Sequence, residues 1–386
     1  LPSDDPKSTI HVKDQDLMAQ NATYILYTSG STGEPKGVCL GQQATTNLIN
    51  WQIKNSVAKN KTRTLQFAPL TFDVSFQEIM STLSTGGTLA LIEDELRLDM
   101  VALLKFIEKH EINRLFLPFV ALQALAETAV SMQHFPQCIQ EIMTAGEQLK
   151  ITPQVTKFFS SINNCKLYNQ YGPTECHVVT ELKLDGNPIN WPALPSIGKP
   201  IENTQIYILN KENHIVTQGE IGELCIAGAC LAEGYLGNEN LTKEKFIWVN
   251  LTGSDKTRIY RTGDIARFLP DGNIEFLGRQ DDQVKISGHR IELAEVELAL
   301  NNLPSIQQAV VVASNHLENV QLVAYLQSNN DSNDINTNEF REQVAQILPS
   351  YMLPTHYVWV KEFPKTSSGK IDKKSLPPVE YSRPSS

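Results

Sequence analysis

No C-x-x-C pair occurs among the six cysteines (Cys39, Cys138, Cys165, Cys176, Cys225 and Cys230). That argues against a zinc site or a disulfide framework and suits a reducing, cytoplasmic setting. Positive charge is also scarce: 33 Lys and Arg against 43 Asp and Glu leave a net charge of −10. The chain therefore lacks the basic face that nucleic-acid phosphates require. Long apolar runs are missing too. The best candidates, such as Ala-Val-Val-Val-Ala at 309–313, are strand-sized and fall far short of the roughly 20 residues that span a bilayer. No signal peptide is visible, and Leu1 in place of methionine leads us to expect a processed or truncated start.

A length of 386 residues exceeds one ordinary hydrophobic core, so two or more domains are expected. From 24 to about 184, strand-like runs (89–92, 114–117, 139–144) alternate with segments of helical apolar spacing (100–110, 120–130). This alternation predicts α/β layers around a largely parallel sheet. Between 204 and 276 short strands (206–209, 222–227, 273–276) with frequent glycine turns predict a β-rich subdomain. A boundary falls near 278–281. Beyond it a helix (293–303), two strands (309–313, 322–326), a polar loop (328–338), a helix (339–348) and a last strand (356–360) form a compact α+β unit. The fold class is thus α/β, with a multi-layer core over 1–280 and a small α+β domain over 281–386. The first twenty residues and those from 377 onward read as linker or terminus.

The richest segment is 27–37, Tyr-Thr-Ser-Gly-Ser-Thr-Gly-Glu-Pro-Lys-Gly. Glycines let backbone N–H groups turn toward a polyanion, hydroxyls add donors, and a lysine adds charge. The spacing G-x-x-G-x-x-K of Gly30, Gly33 and Lys36 is not that of the P-loop, which needs four residues before Gly-Lys-Ser/Thr. Taken singly, these glycines suit an ordinary turn.

Further segments follow in order: Phe-Asp-Val-Ser-Phe-Gln-Glu-Ile (72–79), Tyr-Asn-Gln-Tyr-Gly-Pro-Thr-Glu (168–175), Gly-Glu-Leu-Cys-Ile-Ala-Gly (222–228) and Tyr-Arg-Thr-Gly-Asp (260–264). Then come Gly-Arg-Gln-Asp-Asp-Gln-Val-Lys (278–285), Leu-Pro-Ser-Tyr-Met-Leu-Pro (348–354) and Pro-Lys-Thr-Ser-Ser-Gly-Lys-Ile-Asp (364–372). With the loop, this ordered set resembles the core motifs of adenylation domains of non-ribosomal peptide synthetases, over 24–376. Such domains usually carry more sequence upstream, so the resemblance implies a missing N-terminal subdomain. It also implies that the C-terminal domain is mobile, with a hinge at Asp281 and with Lys285 on a loop that faces the site in a second state.

The implied reaction needs ATP and Mg²⁺. An amino-acid carboxylate attacks the α-phosphate, and a phosphopantetheine thiol of a carrier protein then displaces AMP. By resemblance Thr28, Ser29, Gly30, Ser31, Thr32, Gly33 and Lys36 hold the β- and γ-phosphates. Tyr171 stacks on adenine, Thr174 meets the α-phosphate, Glu175 holds the metal, and Asp264 takes the ribose hydroxyls with Arg279 nearby. Gly146, Glu147, Asn169, Gly172 and Phe276 complete the nucleotide set. Lys370 matches the catalytic lysine, which bridges carboxylate and phosphate. Three departures are noted: Gln42, Ser287 and Ser368 replace a frequent histidine, arginine and asparagine.

Asp73 matches the position that pairs with the substrate ammonium; read alone, it also suits a helix N-cap. The pocket set is completed by Val74, Gln77, Phe116, Met143, Ala145, Gln170, Val178 and Val179. Apart from Asp73 and Lys370 it carries no charge, so a neutral substrate is expected. The set resembles that of proline-activating domains, and Met143 and Gln170 leave methylproline or pipecolate open. The chain is expected to act as a monomer. The rival readings are an acyl- or aryl-CoA ligase on the same scaffold, against which Asp73 argues, and a non-catalytic docking domain.

Overall fold

The computed structural model describes residues 22–30, 35–58, 62–251, 256–281, 283–286, 288–316, 319–329, 337–365 and 371–379. Ser31, Thr32, Gly33, Ser287, Ser368 and Lys370 lie outside the described residues, as do the first twenty residues.

The first part of the chain runs β1 (Ala22–Thr28), β2 (Lys36–Gly41), α1 (Gln42–Asn55), β3 (Arg63–Gln66), α2 (Asp73–Leu83), β4 (Thr88–Leu91) and α3 (Asp94–Leu98). It continues α4 (Met100–Lys109), β5 (Arg114–Phe116), α5 (Phe119–Met132), β6 (Glu141–Thr144), α6 (Pro153–Ser161), β7 (Lys166–Tyr171), β8 (Thr180–Leu184) and β9 (Lys199–Pro200). Seven of these strands form one sheet in the order β4-β3-β5-β6-β7-β8-β9, parallel from β4 to β7 and antiparallel thereafter. The helices begin where the sequence supplies caps. Asp99 accepts from Ala102 N at α4, and Thr152 accepts from Val155 N at α6, whose first residue is Pro153. Leu103, Leu104 and Ile107 of α4 face the core shared with Leu115, Leu122, Leu125, Ile142 and Leu167. The end of α1 is tied to this sheet by a buried ion pair: Glu141 takes Arg114 Nε at 2.6 Å, the Ser56 hydroxyl and the Val57 N–H.

The second layer adds β10 (Thr204–Leu209), β11 (Gly222–Gly228), β12 (Gly234–Tyr235), α7 (Glu239–Lys245), β13 (Phe246–Asn250), β14 (Lys256–Phe268) and β15 (Ile274–Arg279). Here β10-β11-β14-β13 form an antiparallel sheet with β15 on β14, while β12 pairs with β2. The expected β-rich subdomain is therefore present, with longer strands than the short runs suggested.

The last part comprises β16 (Gln283–Ile286), β17 (His289–Glu292), α8 (Leu293–Asn301), β18 (Ile306–His316), β19 (Asn319–Ser328), α9 (Thr337–Ile347) and β20 (His356–Trp359). Both helices and the three later strands fall where the sequence put them. The hairpin β16–β17 was not foreseen. Its pattern explains its place: Val284, Ile286 and Ile291 pack into the C-terminal core with Val296, Leu300 and Phe340. Strand alternation then turns Lys285 and Arg290 the other way, toward the large domain. No helix among the described residues is long and apolar enough to cross a membrane.

Candidate active site

A cavity of about 610 Å³ opens between the edge of the seven-stranded sheet and the β16–β17 hairpin. One end is lined by Thr28, Ser29, Thr174, Asp264, Arg279, Lys285 and Arg290, the other by Asp73, Val74, Phe116, Met143, Ala145, Gln170 and Val178. Residues separated by more than two hundred positions thus meet in one space.

Glu175 is fully buried beside the first end. Its Oε1 accepts from the Tyr235 hydroxyl at 2.8 Å and lies 3.6 Å from Lys36 Nζ; its Oε2 accepts from Arg290 at 2.7 Å. Burial raises the carboxyl's pKa, but the Arg290 and Lys36 charges outweigh it and hold the group well below the usual carboxylate range. Burial and the neighbouring Arg290 lower the Lys36 ammonium in turn. With both oxygens engaged by an arginine and a tyrosine, Glu175 does not fit a divalent cation while the hairpin is docked. Among the described residues no group of three acidic, His or Cys side chains offers another such site. The carboxylate expected to hold the metal thus carries the Arg290 guanidinium in this arrangement.

Asp264 is held in the same manner. The Tyr171 hydroxyl and Arg279 both donate to it, and Arg279 also donates to Asp281 at 2.6 and 2.8 Å. The Lys285 ammonium sits 5.7 Å from the Tyr171 ring centre. Burial lowers its pKa, with Asp264 opposing and Arg290 and Arg279 adding to the effect. Phe276 packs on Tyr171 with ring centres 6.2 Å apart. Thr28 Oγ1 is buried without a partner and lines the cavity, an orphaned donor suited to a phosphate oxygen. Ser29 is different: its hydroxyl donates to the Arg290 carbonyl at 2.8 Å. Gly30 is buried in the same turn.

Several expected nucleotide residues have other work here. Glu147 accepts from Gly288 N at 2.9 Å and from Val120 N at 3.2 Å, tying the hairpin turn to the start of α5. Asn169 donates to the Ser196 carbonyl. Gly146 lines the cavity at φ +87, with Gly288 the nearest neighbour to any added Cβ. Gly172 has no alternative, since a Cβ there would lie 1.6 Å from the His177 carbonyl.

At the other end, Asp73 is the first residue of α2, after Phe72 as N-cap, and no side-chain cap bond forms. The N-cap reading of Asp73 is thus replaced by a carboxylate on the cavity wall in the first helical turn, where the helix dipole favours it. Gln77 and Val179 do not line the cavity. Gln77 is buried in an amide cluster behind it, and Val179 belongs to the core around Leu224 and Ile226.

Sequence reasoning missed Arg290, His177 and His289. His177, at φ 56, accepts from Val178 N on Nδ1, so the proton is assigned to Nε2, which meets the Asp73 carbonyl at 2.9 Å. His289 is stacked on Tyr351 (3.8 Å, 14°) and edge-on to Phe72 (4.5 Å), and burial lowers its pKa to about 4. The alternation of charged and apolar residues across 283–292 was the available signal for Arg290.

Comparison with known proteins identifies the family. Residues 2–236 match the family described as AMP-binding enzyme, and 295–370 match the AMP-binding enzyme C-terminal domain. The chain is 43% identical over 364 residues to gramicidin S synthase 2 of Brevibacillus brevis, covering 94% of this chain and 8% of that protein. It is 43% identical over 361 residues to tyrocidine synthase 2 of Brevibacillus parabrevis, covering 93% of this chain and 10% of that one. The chain thus spans a tenth or less of these relatives. Among solved structures it resembles holo-PA1221, described as a non-ribosomal peptide synthetase protein with adenylation and carrier domains bound to a vinylsulfonamide inhibitor. That match has a TM-score of 0.77 and 26% identity, over 92% of this chain and 60% of that one.

Proposed function

Because the chain belongs to the AMP-binding enzyme family, we propose that it activates an amino acid as its adenylate and passes the acyl group to a carrier-bound phosphopantetheine thiol. The observation that carries this reading is Asp73, a carboxylate on the cavity wall beside Val74, Phe116, Met143, Ala145 and Val178 that makes no ion pair among the described residues. An ammonium finds its counter-charge there, whereas an acid without an amine leaves Asp73 buried against it unpaired.

In the first half-reaction a carboxylate oxygen of the amino acid attacks the α-phosphorus of ATP, and the bond to pyrophosphate breaks. We assign Thr28, whose hydroxyl is unpartnered on the cavity wall, and Lys36, beside Glu175, as donors to phosphate oxygens, with Thr174 lining the same cavity. In the second, the thiol sulfur attacks the acyl carbon, the bond to AMP breaks, and the thiol proton passes to solvent. Lys285, Arg279 and Arg290 supply positive charge for AMP as it leaves. We assign Lys370 to the first half and the hairpin carrying Lys285 to the second, with the chain turning at Asp281. Val74, Phe116, Met143, Ala145 and Val178 on the cavity wall favour a small neutral substrate, and we take it to be proline or a close analogue because the set resembles that of proline-activating domains.

ATP–pyrophosphate exchange across a panel of amino acids and amine-free acids tests this. Exchange that is strongest with proline or a close analogue is expected. Exchange confined to amine-free acids points to a CoA ligase instead, and none with any acid to a docking domain.

A further inference from the structure

Three buried amides stand at the Asp73 end: Gln52 of α1, Gln77 of α2 and Gln170 of β7. Gln77 Nε2 donates to Gln52 Oε1 (2.7 Å) and to Gln170 Oε1 (3.1 Å). Gln170 Nε2 donates to the same Gln52 oxygen (3.2 Å) and to Glu181 Oε2 on β8 (2.8 Å). Gln77 Oε1 is left buried without a donor. Such an orphaned acceptor is destabilising, and apolar side chains of equal volume fill space without that cost. Turning the Gln77 amide over gives no relief, because its oxygen then faces two oxygens. The orientation of the whole set is dictated by acceptors at its margins, Gln52 Oε1 and the Glu181 carboxylate.

Both margins are rigid. The α1 end beyond Gln52 is fixed to Glu141 through Ser56 and Val57. Glu181 sits mid-sheet, its backbone paired with Gln170 on one side and Lys199 on the other. Of the three amides only Gln170 lines the cavity. Both of its N–H bonds are already made, and one oxygen lone pair is taken. It therefore offers a substrate no donor, and Val74, Phe116, Met143, Ala145 and Val178 around it add none.

Building on the amino-acid reading above, we propose that Gln52 and Glu181 are positioning residues for side-chain selection. By holding both amide protons of Gln170 away from the cavity, they exclude amino acids whose side chains carry a carboxylate or amide oxygen and admit apolar ones. Neither residue touches the substrate.

The test is pyrophosphate exchange by the full chain with proline and with glutamine, alongside melting temperatures, for the wild type, Glu181→Leu, Glu181→Gln and Gln52→Met. In Glu181→Leu one Gln170 N–H is released toward the cavity, and the glutamine-to-proline ratio rises about tenfold. The amino-acid KM moves while the ATP KM stays. Glu181→Gln keeps an oxygen acceptor and retains the wild-type ratio; Gln52→Met shifts it in the same sense as Glu181→Leu. Uniform loss with an unmoved ratio in both Glu181→Leu and Gln52→Met makes the cluster purely structural and overturns the proposal. A wild type that exchanges with no amino acid overturns the amino-acid reading and this inference together; a wild type that exchanges, with variants of unmoved ratio, overturns this inference alone.

Discussion

The two ends of the cavity solve opposite problems. At the nucleotide end each acid is matched: Glu175 by Arg290, Lys36 and Tyr235, and Asp264 by Arg279 and Tyr171. At the proposed amino-acid end Asp73 has no ion-pair partner among the described residues, while Arg97 on the same wall is engaged by Asp94 and the Phe67 carbonyl. At the first end no acid is left bare when the site is emptied. The second keeps a bare carboxylate until an ammonium arrives. Matched acids at one end suit anionic ligands that are exchanged in every cycle, and an unmatched acid at the other suits selection.

The largest test removes the balance. Glu175→Ala leaves Arg290 and Lys36 buried without their acid, a loss of about 3–5 kcal/mol. A lower melting temperature is expected, together with adenylate formation reduced on the order of 10²–10³-fold. Next, Asp73→Ala is expected to raise the amino-acid KM on the order of 10²-fold and leave the ATP KM nearly unchanged. If both constants rise in step, the two ends are one site and the comparison fails. Lys36→Ala, which spares Asp73, is expected to slow activation by roughly tenfold with the same order of preferred amino acids; a reordered preference breaks the division.

The smallest effect concerns pH. His289 is lowered to about 4 by its burial between Phe72 and Tyr351. A released hairpin returns it to the ordinary histidine range near 6.5. The docked form binds fewer protons, so docking is fully supported above 6.5 and weakens as pH falls from there toward 4. Protease susceptibility of the hairpin should rise across that window, and His289→Phe should flatten the rise.

Much of this arrangement was legible from residues alone. Apolar periodicity located α4, α5, α8 and α9 and about half of the strands, because those elements bury one face against a core. Thr28, Ser29, Asp73, Thr174, Asp264 and Arg279 were marked by ordered motifs, and they line one cavity. What escaped had a common cause. Arg290 and His289 act across the domain boundary, where strand alternation serves two surfaces at once. Gln52 and Glu181 are ordinary polar residues within regular elements, and only tertiary packing gives their amide and carboxylate oxygens a purpose. Gln77 matched the pocket pattern, yet its place on α2 sets it behind the wall. Glu147 and Ser29 matched the nucleotide pattern, and the docked hairpin engages them instead.

The guanidinium of Arg279 grips Asp264 inside the site and both oxygens of Asp281 at the head of the hairpin. A single planar fork cannot follow two carboxylates that move apart, so turning at Asp281 requires its bonds on one side to be released as a set. On the proposed turn at Asp281, this fork makes the hinge a clutch with two seats, one of which must let go before the chain can turn.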